Sequence, residues 1–146
     1  MNNQIFSIAY FSKSSIKGSI NDVAREIESI LTLARSNNKE QGITGALLYS
    51  GGYFSQVIEG PMDAVEDLFE TIQNDPRHTD VSVLHFNPIP NRSFSDWSMA
   101  LAGIEDTLFA SIDAILKSPD ELESEQAGTA LINVLYDLVK RHEGQV

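Results

Sequence analysis

The sequence has 146 residues, a formal net charge of −11 at pH 7 and no cysteine. That acidity opposes direct binding to nucleic acid or to an anionic membrane, and the missing thiols exclude disulfides, thiolate catalysis and Cys-based metal sites. The three histidines, His78, His85 and His142, lack metal-ligand spacing, and no apolar run reaches the roughly 18 residues of a spanning helix. With 42% hydrophobic residues the chain reads as one globular domain. The start, MNNQIFSIAYFSK, lacks the basic region of a signal peptide, so a cytoplasmic location is the default expectation.

Residues 4–11 alternate as a strand, with Tyr10 in the set that holds Phe6 and Ile8. Its hydroxyl would enter the core and need a partner. Ser19, with Asp22 three later, resembles an N-terminal capping pattern. Val23, Ile27, Ile30, Leu31 and Ala34 then recur at helical spacing. Continuing that stripe reaches Asn37 and Asn38, read either as a helix cap or as polar groups facing a cleft.

A hairpin follows, with strands Thr44–Tyr49 and Tyr53–Glu59 around Ser50-Gly51-Gly52. Alternation puts Gln56 with Phe54 and Ile58 on the more apolar face. Its amide is then either turned to solvent or in need of partners, because a buried unpaired amide costs about 1–3 kcal/mol. Gly60-Pro61 opens a second helix with the stripe Val65, Leu68, Phe69 and Ile72, which runs on to Asp75, Arg77 and His78. Two helices ending in polar groups on their inward sides suggest a cleft for a polar ligand; ordinary helix-end polarity is the alternative.

Residues 80–87 read as a strand, NPIPNRSFSD as a loop, and Trp97–Gly103 as a last strand with Trp97, Met99 and Leu101 on one face. The order β-α-β-β-α-β-β is that of an α+β, ferredoxin-like sheet plus one strand, with both helices on one face. The tail offers two helical stripes, Leu108, Ile112, Ile115 and Leu116, then, after Ser118-Pro119, Ala127, Ala130, Leu131, Val134, Leu135 and Leu138. They either cover the opposite sheet face or form an oligomer surface. GITG matches no phosphate-binding loop.

Four segments carry a specific resemblance: IAYFSK around Tyr10, ARSNNKEQGITGALLYSGGYFSQVIEG from Ala34 to Gly60, QNDPRH from Gln73 to His78, and FSDWSM from Phe94 to Met99. Together they make the chain similar to the BLUF family of flavin-dependent blue-light receptors. The resemblance implies a photosensor domain over residues 1–103 and a helical extension over 104–146. It implies that Tyr10, Gln56, Trp97 and Met99 surround the reactive end of the flavin ring. By the same resemblance Asn38, with Asn37 beside it, bonds the carbonyl edge, Ile30 and Phe54 line the ring faces, and Asp75, Arg77 and His78 lie near the ribityl and phosphate end. Thr71 departs from the basic residue or histidine that many members carry there, so FAD, FMN and riboflavin are all expected ligands. Light is expected to move an electron and a proton from Tyr10 and back, leaving Gln56 rotated or tautomerised and the absorption slightly red-shifted. A partner protein or altered homo-oligomer would read that state. A small flavin oxidoreductase is the alternative, although Gln56 and Trp97 would block the reactive edge.

Overall fold

The structure is a computed structural model that describes residues 4–105, 107, 112–113 and 124–144. Strand β1 (Ile5–Ser14) leads into helix α1 (Ile20–Gln41), followed by β2 (Thr44–Ser50), β3 (Tyr53–Pro61), α2 (Met62–Asn74), β4 (His78–Ile89), β5 (Ala100–Glu105) and α3 (Ser124–Gly144). The five strands form one sheet in the order β4-β1-β3-β2-β5. All neighbours are antiparallel except β2 and β5, which are parallel. This is the ferredoxin-like sheet with one added strand that the element order implies.

Local signals explain most boundaries. Ser19 and Asp22 form a complete capping box at the start of α1, and the helix ends on Gly42 at φ 72°. Gly42 is therefore the cap, which leaves Asn37 and Asn38 inside the helix. Gly51 and Gly52 both have positive φ, 55° and 86°, the conformation of the two-residue turn that matches strand twist. β4 is longer than the sequence pattern suggests and includes Pro88, tolerated because β4 is an edge strand.

The last strand begins at Ala100, not Trp97. Alternation therefore does not govern residues 97–99, and Trp97 departs from the face that Met99 and Leu101 share.

Each sheet face has its own core. On one, Ile8, Tyr10, Leu47, Phe54, Ile58 and Met99 pack against Val23, Ile27 and Leu31 of α1 and Val65 of α2. Full burial of a side chain such as Ile27 or Leu31 contributes about 1.5–3 kcal/mol. On the other face, Ala9, Phe11, Ala46, Leu48 and Val57 pack against Ala127, Leu131, Leu135 and Val139 of α3, with Ile112 joining them. The approach is close at Gly128, where a Cβ would lie 2.1 Å from His85 Nδ1. The other residues named for the first tail stripe, Leu108, Ile115 and Leu116, lie outside the described residues.

Candidate functional site

Strand register puts Tyr10 opposite Gln56, and Gln56 opposite Leu47. These side chains stand in one row on the face that α1 and α2 cover. Between the two helices and this row lies a cavity of about 180 Å³. Leu47, Phe54, Gln56 and His78 of the sheet line it, together with Ile30, Ala34, Asn37 and Asn38 of α1 and Leu68, Thr71 and Ile72 of α2, with Asp75 and Arg77 beyond the end of α2. Most of the surface it exposes is apolar, while polar groups sit at its two ends, Asn37, Asn38 and Gln56 at one and Asp75, Arg77 and His78 at the other, a character that suits a cofactor pocket.

Gln56 is the hinge of the arrangement. It is 7% exposed and is satisfied at both ends of its amide. The Tyr10 hydroxyl donates to Gln56 Oε1, while Gln56 Nε2 donates to Met99 Sδ at 3.4 Å. Tyr10 and Met99 stand behind Gln56 rather than on the cavity wall. Tyr10 is fully buried; burial, with the nearby Asp75 charge adding, pushes its phenol well above the ordinary value. It stays a neutral donor.

The segment before β5 is tied down at several points. Buried Asn38 donates through Nδ2 to Ser98 O at 2.9 Å, and Arg35 Nε donates to Met99 O at 3.0 Å. At the cavity's other end, Arg77 grips Asp75 through two side-chain nitrogens, Nε at 3.0 Å from Oδ1 and Nη2 at 2.6 Å from Oδ2. Those hydrogen bonds hold the Asp75 carboxyl below the usual carboxylate range. His78 Nδ1 lies 2.7 Å from Ser12 Oγ, and its ring centroid is 4.5 Å from that of Phe54. Burial pushes the imidazole down, with Asp75 opposing, so His78 is neutral at pH 7.

Of the residues singled out in the sequence, Ile30, Asn37, Asn38, Phe54, Gln56, Asp75, Arg77 and His78 line the cavity, and Tyr10 and Met99 contact it through Gln56. Trp97 does not. It packs with Phe94 on the opposite face, under Lys140 of α3, whose Nζ is 5.4 Å from the indole centroid. Sequence reasoning missed Ser12, although it shares the face of Tyr10 two residues on. It also missed the carbonyls of Ser98 and Met99, which no side-chain pattern reveals.

Residues 5–100 match the BLUF family, described as sensors of blue-light using FAD. Over 78 residues, 53% of the chain, the sequence is 42% identical to the photoactivated adenylate cyclase subunit beta of Euglena gracilis. The chain covers only 9% of that relative's length. Among solved structures, BlrB, a BLUF protein in its dark state, superposes with a TM-score of 0.70 at 30% identity, over 90% of this chain and 97% of that one. The photo-activated state of BlsA gives 0.72 at 30% identity, over 90% and 94%. A family match over residues 5–100, on a cavity whose wall includes a Gln56 amide backed by Tyr10 and Met99, shows that this chain belongs to the BLUF family of blue-light sensors that use FAD.

Proposed function

We propose that the cleft between α1 and α2 is the flavin site and that the Gln56 amide is the element light rearranges. The donor set fits a flavin. Ile30 and Phe54 supply apolar surfaces for a planar ring, Asn37 and Asn38 supply amides for its carbonyl edge, and Asp75, Arg77 and His78 supply polar partners for the ribityl end. One observation carries the reading: a single buried amide touches the cavity, the Tyr10 hydroxyl and the Met99 sulfur at once.

When bound, the flavin supplies blue-light absorption and a transient pull on an electron and a proton. Tyr10 answers that pull. As its electron leaves, its proton would depart along the hydrogen bond to Gln56 Oε1, and both would return to Tyr10 before the red-shifted state is established. That state persists with Tyr10 and the flavin back at their starting oxidation levels. No net oxidation results. While the phenol is released, the Gln56 amide is free to turn or to change tautomer, exchanging the atoms that face Tyr10, Met99 and the cavity.

Exchanging one hydrogen bond in a core is worth roughly 0.5–1.5 kcal/mol. That shifts a balanced equilibrium about twofold to tenfold and cannot unfold the sheet. The signal therefore acts on an element already poised, and the candidate is the segment from Trp97 into β5, which joins Gln56 and Asn38 to the face under α3. A partner protein, or a change in self-association, would read that element, and the described residues need no catalytic step of their own. Blue light should alter amide exchange in residues 97–105 and in α3 more than in α2. Unchanged exchange in both would contradict the relay.

Occupancy tests the cleft itself. Asn38→Ala should lower flavin retention more than Thr71→Lys raises it. The first strands a buried carbonyl and also frees Ser98 O, a loss of about 1–3 kcal/mol. The second adds an exposed charge worth about 0.2–1 kcal/mol. Equilibrium dialysis giving the reverse order would count against the assignment.

A further inference from the structure

We propose that Glu59 is a positioning residue for the switch: its buried carboxylate fixes the loop between β4 and β5 and so holds Met99 against Gln56. The inference rests on the flavin-site reading above.

Glu59 lies near the end of β3, on the face turned away from the cavity, and is fully buried. Its Oε1 accepts from Thr44 Oγ1 at 3.0 Å and from the backbone N–H of Phe94 at 2.9 Å, and its Oε2 accepts from the N–H of Ser93 at 2.7 Å. Among the described residues it has no ion pair. Arg92 instead reaches the same knot through Thr44 Oγ1 at 2.9 Å, Glu59 O at 3.2 Å and Gly42 O at 2.8 Å. The start of the loop is thus tied to the end of β3, the start of β2 and the cap of α1.

From this knot the tethers run without a gap to the switch. Trp97 N–H donates to Phe94 O at 3.1 Å, and Gly45 N–H donates to Trp97 O at 3.2 Å. The carbonyls of Ser98 and Met99 take the bonds from Asn38 and Arg35. The next contact is Met99 Sδ with Gln56 Nε2. A thioether is a weak acceptor, so this contact exists because the loop places the sulfur there, not because the bond itself is strong. A carboxylate suits the knot because its oxygens only accept. In Glu59→Gln one backbone N–H would face an amide NH₂, and the loop would loosen.

In the resting state of the proposed cycle Met99 Sδ accepts from Gln56 Nε2, so loosening Met99 weakens the state to which Gln56 must return. The test compares flavin-loaded wild type, Glu59→Gln, Met99→Ala and the double variant, by flavin content, red shift and dark-recovery rate. Glu59→Gln should keep flavin and red shift but slow recovery about threefold to fivefold, the scale of one net hydrogen bond. With Met99→Ala already in place, the same change should have almost no effect on recovery. That non-additivity is the signature of action through Met99; a merely structural role would lower thermal stability in both backgrounds and leave recovery alone. If Glu59→Gln does not yield folded holoprotein, Arg92→Ala loosens the same knot and carries the same expectation. Unaltered recovery, or an equal change in both backgrounds, overturns the proposal. A wild type that is colourless or unresponsive to blue light overturns the flavin-site reading, and this inference with it. A normal wild type with additive variants overturns this inference alone.

Discussion

Gln56→Leu should retain the flavin and lose the light-induced red shift completely. Leucine fills nearly the same space in a row whose neighbours, Tyr10, Leu47, Phe54 and Met99, already form a buried core. What disappears is the amide that accepts from Tyr10 and donates to Met99. The Tyr10 hydroxyl is left unpaired, at a cost of about 1–3 kcal/mol, and the extra apolar burial offsets part of that. The variant should therefore fold and bind, and its illuminated spectrum should overlay its dark spectrum. A red shift of wild-type size and lifetime would remove Gln56 from the centre of the account.

Tyr10→Phe should cut the yield of the red-shifted state at least about tenfold while leaving flavin content near normal. Phenylalanine keeps the contact with Phe69, whose ring centroid lies 5.4 Å away, and deletes only the donor to Gln56 Oε1. Proton linkage supplies an independent check. Because burial raises the Tyr10 pKa in the folded chain, the folded state holds the proton where an unfolded chain releases it. Tyr10 thus contributes stability that is complete below the ordinary phenol pKa of about 10 and is lost as pH rises beyond it. Urea denaturation of wild type should show a steeper alkaline decline above that pH than Tyr10→Phe does. Equal slopes would argue against a buried, neutral Tyr10.

Alternation along a strand was enough to place Tyr10 and Gln56 on the covered face, because each lies in the middle of a regular strand with a two-residue period. It failed for Trp97, which precedes β5, so that its indole and the Met99 thioether serve opposite cores. The helical stripe of α1 reached both asparagines, yet only Asn38 is buried. Asn37 lines the cavity from an exposed position. The sequence left open what the tail helices cover. The pointer was β1, apolar on both sides: Ala9 and Phe11 need a cover that α1 and α2, committed to Ile8 and Tyr10, cannot give. Glu59 was invisible as a site, because its partners include backbone N–H groups of residues 93 and 94, distant in sequence and without a signature of their own.

The central claim is that light leaves the flavin oxidised and changes only the hydrogen bonds around Gln56. The absorption spectrum of the purified, flavin-loaded chain before and after blue illumination tests it most directly. The account predicts oxidised flavin bands displaced slightly to the red, returning in the dark without added oxidant. Bleaching to reduced flavin as the lasting product, or no displacement at all, would contradict it.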